Sequence, residues 1–238
     1  LLLALSIYMR LSLHESPLFA RAEAAGELSR SPLKEVFASR VHLRSMGLAI
    51  ITLTMAQGVV WTTGQFFPLV FMQSTLGLDV GVASAVMAAV LAASVPLFPA
   101  AGWLADRIGR RPVVIGGFVL AALLIMPVFK GVGAAAAPFA FGPMFAWLML
   151  LAVPVALVCA PASAYLVELF PTRIRYSAMG LPYHLGNGWF GGFMPLATTA
   201  IGAHLGDPYA GLYYSIGLSI MCAVAAFFLM PETRGRSL

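Results

Sequence analysis

The stretch Gly102-Trp103-Leu104-Ala105-Asp106-Arg107-Ile108-Gly109-Arg110-Arg111-Pro112 decides how the chain is read. It overlaps the end of one charge-free run, residues 80–105, and leads into another, residues 112–129. Each run reaches the roughly 18 residues that cross a hydrocarbon core. The stretch is therefore a short polar turn between two membrane-spanning helices. Gly109 is suited to a positive φ at the turn, and Gly102 to the close approach of another helix. Asp106 stands where it can accept hydrogen bonds from a neighbouring helix N-terminus. Arg107, Arg110 and Arg111 can pair with carboxylates on adjacent loops or with lipid phosphate. A basic loop that only sets orientation is the plainer reading of the arginines alone.

Composition extends this reading to the whole chain. Of 238 residues, 61% are hydrophobic and 10% charged, against about 25% charged in a soluble domain. Mean hydropathy is +0.91. These values exclude a soluble globule, a disordered chain, a coiled coil and a secreted disulfide scaffold. Cys159 and Cys222 lie in long apolar runs and read as small buried hydrophobes. The net charge of +5 needs no nucleic-acid partner; membrane orientation and contact with anionic lipid explain it. Leu1–Met9 is apolar, covers about half a bilayer and ends at Arg10. It is expected to be the tail of a helix whose beginning is missing, which makes the chain a fragment.

Six complete charge-free runs follow, at residues 47–78, 80–105, 112–129, 131–167, 176–206 and 208–231. They lack the alternation of outer-membrane strands, so an all-α membrane protein is expected. The organisation predicted is the end of a membrane helix at 1–11, a polar cytoplasmic loop at 12–45, a six-helix bundle at 46–231 and a cytoplasmic tail at 232–238. Short surface helices are expected within 31–44. If the runs alternate, all Lys and Arg residues but Lys130 fall on one side. The positive-inside rule assigns that side, with the central loop and the C-terminus, to the cytoplasm.

The turn G-W-L-A-D-R-I-G-R-R resembles the signature loop of the major facilitator superfamily, which recurs between helices two and three and between eight and nine. His14-Glu15-Ser16-Pro17 resembles the segment after helix six in that superfamily. Glu168-Leu169-Phe170-Pro171-Thr172-Arg173 resembles the end of helix ten, and Pro231-Glu232-Thr233-Arg234-Gly235 the motif after helix twelve. The last two are shared with sugar porters. Arg175-Tyr176-Ser177-Ala178-Met179-Gly180, with Tyr183-His184 and Asn187-Gly188-Trp189-Phe190-Gly191-Gly192, is more similar to the metabolite:proton symporters. That branch carries compounds such as α-ketoglutarate, citrate, shikimate, proline and betaine.

The resemblance implies the C-terminal half of a twelve-helix transporter, working with a missing N-terminal half in the inner membrane of a bacterium. It implies a small-molecule substrate, no cofactor, and protons as the coupling ion. Asp106 would cap the start of helix eleven. Arg107, Glu168, Arg173 and Glu232 would form ion pairs that break as an inner gate opens, beside Arg234. Exposed pairs contribute about 0–1 kcal/mol each, so several are needed to bias two states.

Within the runs the polar residues are few. Gln57, Trp61 and Gln65 recur at i, i+4 and i+8 on one helical face, and either line a cavity or bond between helices. Tyr183, His184 and Asn187 lie early in the eleventh helix. His184 is the one titratable candidate for proton exchange there, unless it is a packing residue. The rival reading is a sugar-porter-type facilitator or symporter. A membrane enzyme is disfavoured, because no nucleophile–base pair and no metal-ligand set with catalytic spacing occurs, and no metal site is expected. A half-transporter that dimerises is a further alternative.

Overall fold

With almost no polar side chains to spare, the apolar runs must satisfy their backbone groups internally, and they do so as helices. A computed structural model describes residues 2–12, 24–25 and 31–235, and the regular elements among them are all helical. His14–Pro17, one of the motifs above, lies outside the described residues. We label the helices α1 (Leu2–Ser12), α2 (Pro32–Ala38), α3 (Arg40–Gln65), α4 (67–75), α5 (Val80–Ile108), α6 (Arg110–Ala134), α7 (Phe141–Leu169), α8 (175–205) and α9 (Leu212–Leu229).

Five of them, α3, α5, α6, α7 and α9, are long and apolar enough to cross a membrane. The sixth expected span is α8. It is helical throughout, but glycines, His184 and Asn187 dilute its apolarity below that of the others. The first run, expected at 47–78, begins earlier and breaks once. α3 starts at Arg40, where Ser39 Oγ accepts from His42 N at 3.5 Å, and it ends at Gln65, three residues before Pro68. Proline disfavours helix in the residue before it and cannot donate its own N–H. α5 is interrupted at Val95–Pro96 for the same reason. Lys130, placed between spans by its charge, lies instead inside α6, which continues to Ala134. The expected short surface helices are α2 and the first turn of α3.

α6 packs between α7 and α9, while α3 packs against α7, α8 and α9. Their shared core includes Leu53, Phe71, Phe118, Phe129, Leu148, Tyr165 and Leu212, all buried. Lipid tails are as apolar as these side chains, so close packing and interhelical hydrogen bonds hold the bundle rather than the hydrophobic effect. Thr63 Oγ1 and Ser215 Oγ lie 2.8 Å apart between α3 and α9, and Thr54 Oγ1 donates to Pro182 O at 2.8 Å between α3 and α8.

At the α3–α8 crossing both helices widen into π turns, at Ile50–Thr54 and Gly186–Gly191. There Gly58 faces Asn187 and Gly191. A Cβ on Gly58 would stand 2.6 Å from Asn187 Cα, and one on Gly191 2.7 Å from the Gly58 carbonyl carbon. Only hydrogen fits between these backbones.

A second, smaller core lies at the end of the bundle near the polar loop. Val36 of α2 packs with Met46, Phe170, Ile174 and Ala178, docking the short helix on the α7–α8 connection.

Candidate functional site

Two arrangements gather the polar side chains. The first surrounds Gly109, which joins α5 to α6 with φ +110° and ψ 156°. A side chain there would meet the Glu232 carboxylate. The absence of one lets Glu232 reach the start of α6. Its Oε1 accepts from Arg110 N, Thr233 N and Arg234 N, each at 3.0 Å, and its Oε2 accepts from Arg111 N at 3.1 Å. A carboxylate on the free N–H groups of a helix start satisfies them and opposes the helix dipole. Burial pushes the Glu232 carboxyl up, but the four backbone donors outweigh it and hold it below the usual carboxylate range.

A pH dependence follows from that shift. A carboxyl whose folded pKa is depressed adds stability above its unfolded pKa, and loses it as pH falls through the folded value. On acidification below the usual glutamate value of about 4.3, the wild-type chain is expected to lose melting temperature more steeply than Glu232→Gln, the gap between the two narrowing as pH falls. Thermal unfolding in detergent across that range checks it; parallel curves for the two proteins would remove the capping role.

Arg110 is the centre of the same cluster. Its NH2 donates to Glu168 Oε1 at 3.0 Å and its Nε to Glu168 Oε2 at 3.5 Å, while NH1 bonds Asp106. Thr233 Oγ1 also donates to Glu168. The Arg110 and Glu168 side chains are 11% and 14% exposed, and Asp106 is 65% exposed. Through these contacts α5, α6, α7 and the tail are tied at one end.

Five expectations for this region change, the first being Glu232, which caps α6 through backbone N–H groups and forms no ion pair among the described residues. Asp106 bonds Arg110 across the Gly109 turn, and not the start of α8. Arg107 points the other way, with its guanidinium 4.2 Å over the Trp103 ring, so it makes no ion pair among the described residues; its carbonyl accepts from Arg234. Arg173 pairs with Glu35 of the docked α2, away from Glu168 and Glu232. Nothing lies within 4 Å of a Cβ built on Gly102, because α5 packs through Ala101 and Ala105 instead. Arg111 bonds the Phe227 carbonyl at the end of α9.

The second arrangement is a cavity of about 250 Å³ walled by α3, α5, α7 and α8. Gln57, Trp61, Phe98, Cys159, Tyr183 and Asn187 line it. Four of the six predicted cavity residues thus meet in one place. Gln57 Nε2 donates to Cys159 Sγ at 3.4 Å, and its Oε1 has no partner among the described residues. The Trp61 and Phe98 rings meet edge to face at 6.2 Å. Gln65 is also buried with an unpaired Oε1, but it stands two turns away and does not line this cavity. His184 lines an adjoining cavity of about 370 Å³ with Tyr176, Ser177 and Met179; Ser163 and Tyr183 border both.

Ser163, Phe98, Cys159, Thr233 and Glu35 were not singled out from the sequence. No local spacing signals the cluster's centre, because Gly109 breaks the helix between Asp106 and Arg110. Among the described residues no group of His, Cys, Asp and Glu stands close enough to hold a metal.

The sequence model of the Major Facilitator Superfamily matches residues 2–238, and the chain belongs to that superfamily. It is 28% identical over 240 residues to the ectoine/proline transporter ProP of Corynebacterium glutamicum, covering 97% of this chain and 46% of that protein. It is 28% identical over 253 residues to the inner membrane metabolite transport protein YhjE of Escherichia coli, covering 100% of this chain and 53% of that one. The chain spans about half the length of the curated relatives it matches, and corresponds to their C-terminal half. It is an integral membrane protein of an all-helical transporter fold.

Proposed function

We propose that the chain is the C-terminal six-helix half of a secondary transporter that carries a small organic metabolite, an organic acid or a proline- or betaine-like compound, by proton-coupled symport. The observation that carries this reading is the polar cavity between α3, α5, α7 and α8, with an ion-pair cluster tying three helices and the tail at one end. Alternating access needs a central site and a latch that opens on one side of it. Arg110, Glu168, Asp106 and Glu232 serve as that latch, with Arg111 and Arg234 holding its rim. Gln57, Trp61, Tyr183 and Asn187 face the substrate, and His184 beside them exchanges the proton. The N-terminal half supplies the opposite wall. The end bearing the latch, the central loop and the tail faces the cytoplasm of a bacterial inner membrane, in accord with its basic residues. The chemistry is transport, without a cofactor.

The test is uptake by the whole transporter in proteoliposomes, with and without an inward proton gradient, from a panel of α-ketoglutarate, citrate, shikimate, proline, betaine and glucose. Gradient-driven accumulation of an organic acid, proline or betaine is expected. Equilibration of glucose without accumulation would replace this reading with the sugar-facilitator one.

A further inference from the structure

We propose that α2 and the first turn of α3 form a foot that binds anionic phospholipid, a role beyond the transport reading and independent of it. Three apolar side chains there face outward: Leu33, Phe37 and Val41 are 52%, 57% and 70% exposed. Leu33 and Phe37 stand four apart on α2 and so share one side of the helix. Val36, on another side, is fully buried against Met46, Phe170, Ile174 and Ala178. The docking of α2 therefore leaves Leu33 and Phe37 unused. Lys34, Arg40 and Arg44 interleave with the apolar residues in the sequence; all three are exposed, and none pairs with an acid among the described residues. The one acid of α2, Glu35, is taken by Arg173. The surface is thus apolar and carries three uncompensated positive charges.

Its height in the membrane follows from α3. That helix runs 26 residues from Arg40 to Gln65, about 39 Å against a hydrocarbon core of about 30 Å. α4 carries the same run onward, so the excess falls at the Arg40 end, where the charges are. The first turn of α3 stands at headgroup level, and α2 lies against it, one residue earlier in the chain. At that level a phospholipid offers a phosphate for each cation and an acyl chain for each apolar side chain. Val36 and the Glu35–Arg173 pair hold α2 to the α7–α8 connection. Lipid on the foot is therefore tied to the end of the bundle that carries Glu168.

The experiment places a bimane label on Ala38→Cys, an exposed position next to the foot, in the whole transporter freed of its other cysteines. Two sets of proteoliposomes contain equal amounts of phosphatidylglycerol and phosphatidylcholine, and differ in which of the two carries brominated acyl chains. Brominated phosphatidylglycerol is expected to quench the label more strongly, and added salt to reduce the difference. Lys34→Gln, Arg40→Gln and Arg44→Gln should each weaken that preference by about fivefold, the worth of one basic residue at an anionic surface. Leu33→Ser combined with Phe37→Ser should reduce quenching by both lipids. Equal quenching by the two lipids in the labelled protein overturns the proposal and needs no further variant to fold. So does a preference that survives the triple glutamine substitution while thermal unfolding stays at its original value. Quenching by neither lipid places the foot against water or the N-terminal half, and also overturns it. Uptake measured on the same vesicles tests the transport reading separately, for selective quenching without uptake of any compound overturns that reading alone.

Discussion

Arg110→Ala is expected to reduce transport by at least tenfold and to loosen the end of the bundle. The substitution strands Glu168, 14% exposed beside a guanidinium itself 11% exposed, as a carboxylate in a poorly solvated place. Removing one partner of a buried pair costs more than the pair contributes, because the remaining charge is left uncompensated. At this degree of exposure we expect up to about 3 kcal/mol, the low end for such pairs. Arg110→Lys should recover only part of it, since a lysine cannot bond Glu168 through two nitrogens and reach Asp106 as well. Asp106→Asn should be milder in stability, because that carboxylate is largely in water. Melting temperature and uptake measured side by side separate the effects. Wild-type values of both for Arg110→Ala would remove the cluster from the mechanism.

The second large effect is expected at the α3–α8 crossing. Gly58→Ala places a methyl 2.6 Å from Asn187 Cα and 2.7 Å from Asn187 Oδ1. The first of these is backbone, so no rotamer change relieves it. Overpacking of this kind costs about 1–3 kcal/mol. Here it must also move Asn187, which lines the cavity. Loss of transport is therefore expected to exceed what the loss of stability explains. Gly47→Ala is the control, for nothing lies within 4 Å of a Cβ at that position; it should behave as wild type. A Gly58→Ala protein that melts and transports normally would show that the crossing has room for a methyl group.

Much of the fold was legible from where charge is absent. A run that crosses a bilayer has few ways to satisfy its backbone, so six apolar runs read directly as helices, and the Gly102–Pro112 turn gave both the break and its sharp geometry. The positive φ at Gly109 was readable because a turn this short needs it. The partners in the cluster were not readable. Glu232 meets Arg110 from 122 residues away, and nothing local to either residue encodes that approach. Arg107 and Arg110 differ by three positions along a chain that turns between them, so which of them faces Glu168 depends on the angle Gly109 sets. The cavity was half legible. Gln57, Trp61, Tyr183 and Asn187 are conspicuous in lipid, whereas Phe98 and Cys159 look like any apolar wall residue until α5 and α7 are folded against them. The π turns had no visible signature, because they answer to the neighbouring helix and not to their own sequence.

The tight crossing has a consequence for anyone who builds hybrids between relatives. Helices α3 and α8 are separated in sequence by α4 to α7, yet their backbones interlock through Gly58, Gly186 and Gly191, with Thr54 bonded across to Pro182. Grafting one of the two from a related transporter leaves a mismatched seam wherever the donor carries a larger residue at those positions. The two helices are a single exchangeable cassette, and recombination that respects it should yield folded offspring where exchange of either alone does not.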